Sequence, residues 1–525
     1  MSAVVRSVTS RVFAALPFLL CVTAIVTCVA LIDLKGISTD EGIRLGIVNG
    51  GRQFTPEATS PAPTYRDVLQ TVAPYAYQPG YYLFLNTLMR AAERHDLLFF
   101  RLVNVALLAL CLGGLLGLTR AWPTSARAFL IGLFAFNAYL IMHVLQIREY
   151  IAAVALYIWG TRLVLHLDDR HLDREWPDIA AFLGYGLMLT AGFYLQTWTV
   201  FPAAAQGIFL VSRRRPQQVR FLAHLGLAYL VVFTLVWPYL QSNLQKVNVG
   251  LWAPEKVTLL GQLANGFNLV LAGQPRNHSW FTDWLPFGWL ALTLYAASLL
   301  WQKRRALPSG FVHGVARRAW LLILCSAVPL AFQIIYFYRV EPLSVWPRYF
   351  IIHYFFLTTL IGLAFQALMA ARIHLVPRRE NAILAASGTL LVVSAFSQVH
   401  SYRRDPYFDT STNAAVNWPA IATAVAQTVQ PTDVVFTYDF VTRATLTGTH
   451  PLSNRVAILP DLETISLEDS LRLLYLESSS VKAERPTLIQ RMAARGFREV
   501  QEWSVTAGDG SGPLEEWCIL TFSRR

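Results

Sequence analysis

The chain of 525 residues is 54% hydrophobic and only 14% charged, with a mean hydropathy of +0.41, which leaves too little polar surface to solvate a soluble fold of this length. Its net charge of +12 is spread over short basic runs between apolar stretches, not along one face, which argues against nucleic-acid binding and makes those runs topology signals. Of the five cysteines, Cys21, Cys28, Cys111 and Cys325 lie inside apolar runs and Cys518 in the polar tail, implying neither a disulfide framework nor a zinc site.

The first apolar stretch, 11–34, is longer than a secretory signal core and lacks a small-residue cleavage site before Asp33 and Lys35, so it predicts a retained anchor. A helix needs about 20 apolar residues to cross the hydrocarbon core. The spacing predicts about eleven crossings, near 11–33, 98–119, 128–145, 149–166, 178–193, 195–211, 221–240, 284–301, 318–337, 349–370 and 382–398.

Loops of one parity hold Arg120, Arg127, Arg162, Arg170, Arg174, Arg213–Arg215, Arg220, Lys303–Arg305, Arg317, Arg318, Arg372, Arg378 and Arg379. The positive-inside rule makes these loops cytoplasmic, together with the N-terminus. Residues 35–97 and 241–283 then face outward, as does everything after 398. Both long outward loops are too polar for lipid yet rich in Tyr, Trp and Pro, a composition suited to the interface.

From 399 to 525 apolar spans cease and acidic residues become common. Asp433–Phe440 reads as a buried strand, Pro486–Gly496 as a helix ended by glycine, and Arg498–Val505 and Glu516–Phe522 as strands, which predicts a small soluble α/β domain. There is no fixed-period repeat, GxxxxGK[ST] or GxGxxG, so nucleotide-driven transport finds no support.

Three places carry the signature of chemistry. Asp40-Glu41 follows the first span and opens the run Gly42–Val48; an acid pair at a membrane surface suits general-base work, because partial desolvation brings a carboxylate toward the range of efficient proton transfer. The same residues would also serve the first turn of a helix. Tyr77, Gln78, Pro79, Gly80, Tyr81 and Tyr82, followed by Arg101, form an aromatic wall suited to a sugar or headgroup, or an interfacial belt. Short outward loops should be poor in arginine, yet one carries Arg148-Glu149-Tyr150 and another Arg348-Tyr349. Guanidinium groups there suit an anionic ligand such as phosphate, or a lipid headgroup reached by snorkelling.

In their order and shared outward placement, Asp40-Glu41, Pro79 with Tyr81-Tyr82, Arg101, Arg148 with Tyr150, and Pro347-Arg348-Tyr349 resemble the polytopic GT-C glycosyltransferases. These use polyprenyl-phosphate sugars and include protein O-mannosyltransferase-like and lipid A glycosyltransferase-like members. The resemblance covers residues 10–400; Tyr77-Gln78-Pro79-Gly80-Tyr81-Tyr82 stands where members often have His-Pro-Pro-Leu-Tyr-Tyr.

The resemblance implies an α-helical polytopic GT-C fold over 1–398, followed by the α/β domain at 399–525, in the inner (plasma) membrane with the C-terminal domain outside. It implies an inverting glycosyltransferase, hexosyl or pentosyl, that uses a polyprenyl-phosphate sugar and a glycan, lipid or protein acceptor. Asp40 with Glu41 would be the catalytic acidic pair, Asp40 taking the proton and Glu41 and Glu149 orienting. Tyr77, Gln78, Tyr81, Arg101, Arg148, Glu149, Tyr150, Arg348 and Tyr349 would bind substrate. No ligand cluster demands a metal, although a divalent cation between carboxylate and phosphate fits the chemistry. A transporter or flippase of a lipid-linked sugar, a polysaccharide ligase or polymerase, and a non-catalytic assembly protein stay open as alternatives.

Overall fold

A computed structural model describes residues 3–32, 39–48, 63–73, 78–94, 96–170, 179–213, 219–244, 258–273, 280–339, 347–371, 377–404, 418–430, 433–437, 456–458, 472–478, 485–507 and 515–524. The chain divides into two compact units: Met1–Leu31, Leu102–Leu145 and Glu149–Asp405 form one, and Ile32–Arg101, Gln146–Arg148 and Pro406–Arg525 the other.

The first unit is helical. Its helices are α1 (Ala3–Ala30), most of α5 (Leu97–Leu118), α6 (Thr124–Ala135), α7 (Ala138–Leu145), α8 (Tyr150–Arg170), α9 (Ile179–Leu195), α10 (Val200–Ser212) and α11 (Val219–Leu244). They continue with α12 (Leu259–Ala272), α13 (Trp280–Lys303), α14 (Ser309–Arg339), α15 (Ile351–Ala371) and α16 (Pro377–Arg404). Among the described residues six helices are long and apolar enough to cross a membrane, and seven if the bent pair α6 and α7 is one span. The chain is thus a multi-span membrane protein.

Side-chain exposure agrees with a lipid surround. Phe18, Leu187, Trp301 and Phe396 are more than 60% exposed, which water would penalise and hydrocarbon does not. In contrast, α15 packs against α6, α8, α13 and α14; Phe129 of α6 stacks on Phe365 of α15 with ring centres 4.1 Å apart.

The expected span 128–145 is interrupted. α6 and α7 meet at 59°, although the run is apolar except for Asn137, Tyr139 and His143. A break in lipid needs partners for the freed N–H groups, and the protein supplies them. Asn137 Oδ1 accepts from Tyr139 N at 2.8 Å and Gln398 Oε1 from Ala138 N at 2.9 Å. A polar residue at the break was the only sequence signal.

Near the basic loops, Asp168 at the end of α8 is fully buried between Arg317 of α14 (3.4 Å) and Arg213 beside α10 (3.7 Å), and Arg317 also pairs with Asp169. Cations suit these positions because α8 and α10 both end there.

The second unit contains α2 (Thr39–Val48), α3 (Tyr65–Val72), α4 (Pro79–Ala92) and the first turn of α5. α3 and α4 pack against α2, and Arg44–Val48 are buried. Asn86 of α4 donates to Val48 O and Pro63 O at 3.2 and 3.3 Å, satisfying a carbonyl that the helix end leaves free.

Asp96 caps α5: its Oδ1 accepts from Phe99 N at 2.9 Å, and Arg94 pairs with both of its oxygens. Burial pushes the Asp96 carboxyl up, but the Arg94 and Phe99 hydrogen bonds outweigh it and the net shift is downward. A lowered folded-state value means the cap stabilises above the unfolded pKa, about 4, and this stabilisation disappears as pH falls through the folded value. Asp96→Asn should therefore lower the melting temperature at pH 7 and lower it by less at pH 3. An equal gap at both pH values would refute the assignment.

The C-terminal part of this unit has a five-stranded sheet in the order β2-β1-β3-β5-β4, from β1 (Val434–Thr437), β2 (Val456–Ile458), β3 (Arg472–Ser478), β4 (Phe497–Ala507) and β5 (Glu515–Arg524). β1 runs parallel to β2 and β3, whereas β5 is antiparallel to β3 and β4. Ile421 and Val425 of α17 (Trp418–Thr428) cover Val435, Leu474 and Ile519 on one face. Leu488 and Met492 of α18 (Arg485–Ala494) cover Phe436, Tyr475 and Phe522 on the other. Gly496 ends α18 at φ +82°, a conformation that glycine adopts without strain.

Candidate functional site

Glu41 lies in the first turn of α2 and is 1% exposed, and Arg101 at the start of α5 is 2% exposed. A charge this deep must be paired, and each pairs with the other. Arg101 Nη2 donates to Glu41 Oε1 and Oε2 at 3.3 and 3.4 Å, and Nε to Oε1 at 3.4 Å. Arg101 Nη1 donates to Ile32 O at 2.7 Å, just past α1.

Glu41 has a second task. Its Oε1 accepts from Ile147 N at 3.0 Å, inside the turn Gln146–Arg148 that joins α7 to α8. That turn is tight, with Arg148 N donating to Gln146 O at 2.8 Å. One carboxylate therefore gathers a residue 60 positions away and another 106 positions away. Asp40 is the chain neighbour of Glu41, and Arg148 that of Ile147. The clamp accordingly holds Asp40, Glu41, Arg101 and Arg148 in one neighbourhood of the second unit.

Arg148 is fully buried, so it does not snorkel from a surface to lipid. Its guanidinium keeps its charge in such surroundings. Arg44, one turn beyond Asp40, is 4% exposed and was not among the residues that the sequence singled out. Tyr81 and Tyr82 of α4 are buried edge to face, 6.3 Å apart. Gln78 is half-buried before Pro79, which opens α4 where a missing N–H costs nothing.

The remaining site residues belong to the first unit. Glu149 and Tyr150 are buried at the start of α8. The Tyr150 ring meets His143 edge to face at 4.7 Å, and His143 meets Tyr139 at 4.5 Å. Sequence reasoning did not single out His143, a fully buried histidine near the end of α7. Tyr349 sits in the 3-10 turn Pro347–Phe350 with its ring 5.5 Å from Trp198. Under this turn His353 shares a hydrogen bond of 2.9 Å with Gln333 of α14. Tyr77 lies outside the described residues, as do the side chains of Asp40 and Arg348.

Among the described residues no group of three His, Cys, Asp or Glu side chains can hold a metal ion. Glu41, the described carboxylate nearest Asp40 in the chain, is engaged by Arg101 and Ile147.

Fold and site together define a multi-span membrane protein with a buried acid–arginine clamp and a small α/β domain. No family model and no curated protein sequence matches the chain. Among solved structures it is similar to ArnT from Cupriavidus metallidurans bound to undecaprenyl phosphate, at 13% identity and a TM-score of 0.47 over 96% of this chain and 97% of that one. It is also similar to the Archaeoglobus fulgidus oligosaccharyltransferase in complex with Zn and sulfate, at 10% identity and 0.47 over 95% and 72%. The arabinofuranosyltransferase AftD from Mycobacteria aligns at 14% identity and 0.46 over 96% of this chain and 39% of that chain. All three TM-scores lie below 0.5, a level at which likeness does not carry function across.

Proposed function

We propose that the chain is an inverting membrane glycosyltransferase that moves a sugar from a polyprenyl-phosphate donor to an acceptor hydroxyl on the extracytoplasmic side of the plasma membrane. The carrying observation is the Glu41 clamp, in which one buried carboxylate holds Arg101 and the backbone of Ile147. That arrangement supports assigning Asp40 and Arg148 to one active centre.

In this reading the donor's lipid tail lies among the apolar helices and the acceptor arrives from water. Asp40 takes the proton of the acceptor hydroxyl while that oxygen bonds to the anomeric carbon. The bond from that carbon to the phosphate oxygen breaks on the opposite face, so a single displacement inverts the centre. The departing phosphate needs its charge balanced more than it needs a proton. Arg148 and Arg348 supply that balance, roughly 2 to 4 kcal/mol each. Glu41 and Arg101 hold these groups in place and do not react, while Gln78, Tyr81, Glu149, Tyr150 and Tyr349 shape the donor and acceptor pockets.

The bent span α6–α7 is the feature that a transporter reading would emphasise, since broken helices build ion and substrate sites in that class. Here the freed Ala138 and Tyr139 N–H groups are taken up by Gln398 and Asn137, which favours a structural role for the break.

Transfer of radiolabelled sugar from a panel of polyprenyl-phosphate donors by the purified chain tests the proposal. Arg348→Ala should raise KM for the donor about tenfold or more while changing acceptor KM little; equal changes would make Arg348 structural. Consumption of no donor by the wild type would overturn the enzyme reading, and flipping of lipid-linked sugars in vesicles would then be measured.

A further inference from the structure

The turn Pro347–Phe350, which carries Arg348, rests on α12, a helix far from it in sequence. α12 is the described helix of the second long outward loop.

At its middle, α12 packs on Pro347–Phe350 through Gly266. A Cβ at Gly266 would collide with the Phe350 ring; Phe350 is fully buried, so the ring has little room to retreat. The next residue, Phe267, meets Phe350 edge to face at 5.3 Å and lies 6.4 Å from His353. One turn on, Val270 O accepts from Asn137 Nδ2 at 2.9 Å. Asn137 stands where α7 begins, and α7 runs directly into Gln146–Arg148. The helix closes with Gly273 at φ +74°, beside Gln398 and Ala138.

We propose that α12 is a strut that sets the arginine-bearing turn Pro347–Phe350, with Gly266 as its positioning residue. The absent side chain fixes the distance between the α12 backbone and the Phe350 ring, and hence the placement of the turn bearing Arg348. The inference rests on the reading of Arg348 as a donor-phosphate ligand. Displacement of a charge partner by about 1 Å is enough to cost a large factor in binding or rate, and one methyl group against an aromatic ring produces a shift of that order.

The test measures affinity for undecaprenyl phosphate by the full chain in nanodiscs, with melting temperatures alongside. Gly266→Ala is expected to weaken binding about tenfold with a melting temperature within a few degrees of wild type. Adding Phe350→Leu, which removes the ring that the methyl group meets, should recover affinity to within about twofold. With the melting temperature unchanged throughout, loss and recovery report on the position of the turn and not on stability.

Wild-type affinity in Gly266→Ala, or no recovery in the double variant, would overturn the strut while leaving the donor reading intact, provided Arg348→Ala still loses binding. Wild-type affinity in Arg348→Ala would overturn both. Should Gly266→Ala not yield folded protein, Asn137→Ala removes the other attachment; unchanged affinity in that variant overturns the proposal and a loss of similar size supports it.

Discussion

Asp40→Asn is expected to lower transfer by about a hundredfold to ten-thousandfold, the range a positioned general base contributes, without changing expression or melting temperature. Asparagine keeps the size and polarity of the side chain in the first turn of α2 but cannot take a proton. The acceptor oxygen would then attack while still protonated, which leaves a high barrier even with the leaving phosphate fully stabilised. Donor affinity should be preserved, since the phosphate contacts are assigned to arginines, so kcat should fall and donor KM stay within a few-fold. Turnover within tenfold of wild type would remove Asp40 as the base. Equal loss of donor binding would move Asp40 into the phosphate pocket.

The helical membrane architecture was legible because its signal is local and strong: apolar length marks a helix. The anomaly of Arg148 and Arg348 in loops that should lack arginine was readable as well. What ties the turn of Arg148 to Glu41 was not. The Glu41–Ile147 bond runs from a side chain to a backbone N–H across 106 positions, and a backbone group has no residue identity that a sequence could advertise. The same holds for Asn137 to Val270 and Gln398 to Ala138, so the break after α6 was hidden within an apolar run.

The C-terminal domain shows the complementary limit. β4 and β5 stand at one side of the sheet and were anticipated. β3 was missed because helices cover both faces of the sheet. Its Leu473-Leu474-Tyr475-Leu476 run therefore has no alternation, and a short apolar run fits a buried helix equally well. Arg101, grouped with the substrate ligands because it lies on an outward segment, donates to Glu41 and Ile32, contacts that its position in the sequence does not announce.

That assignment yields the second large effect. Glu41→Leu is expected to destabilise the fold by about 3 to 5 kcal/mol, because it leaves the Arg101 charge buried without its carboxylate and the Ile147 N–H without its acceptor. Glu41→Gln should cost distinctly less, since the amide oxygen still accepts from Ile147 or Arg101. Its kcat should fall by roughly tenfold, far short of the loss from Asp40→Asn, if Glu41 positions and does not react. The double variant Glu41→Leu with Arg101→Leu separates packing from charge. Removing both ions together leaves no uncompensated charge, so it should melt at a higher temperature than Glu41→Leu alone. If instead Glu41→Gln melted like the wild type and were as inactive as Asp40→Asn, Glu41 would share the proton transfer, and the acid pair would have to be treated as a coupled catalytic unit.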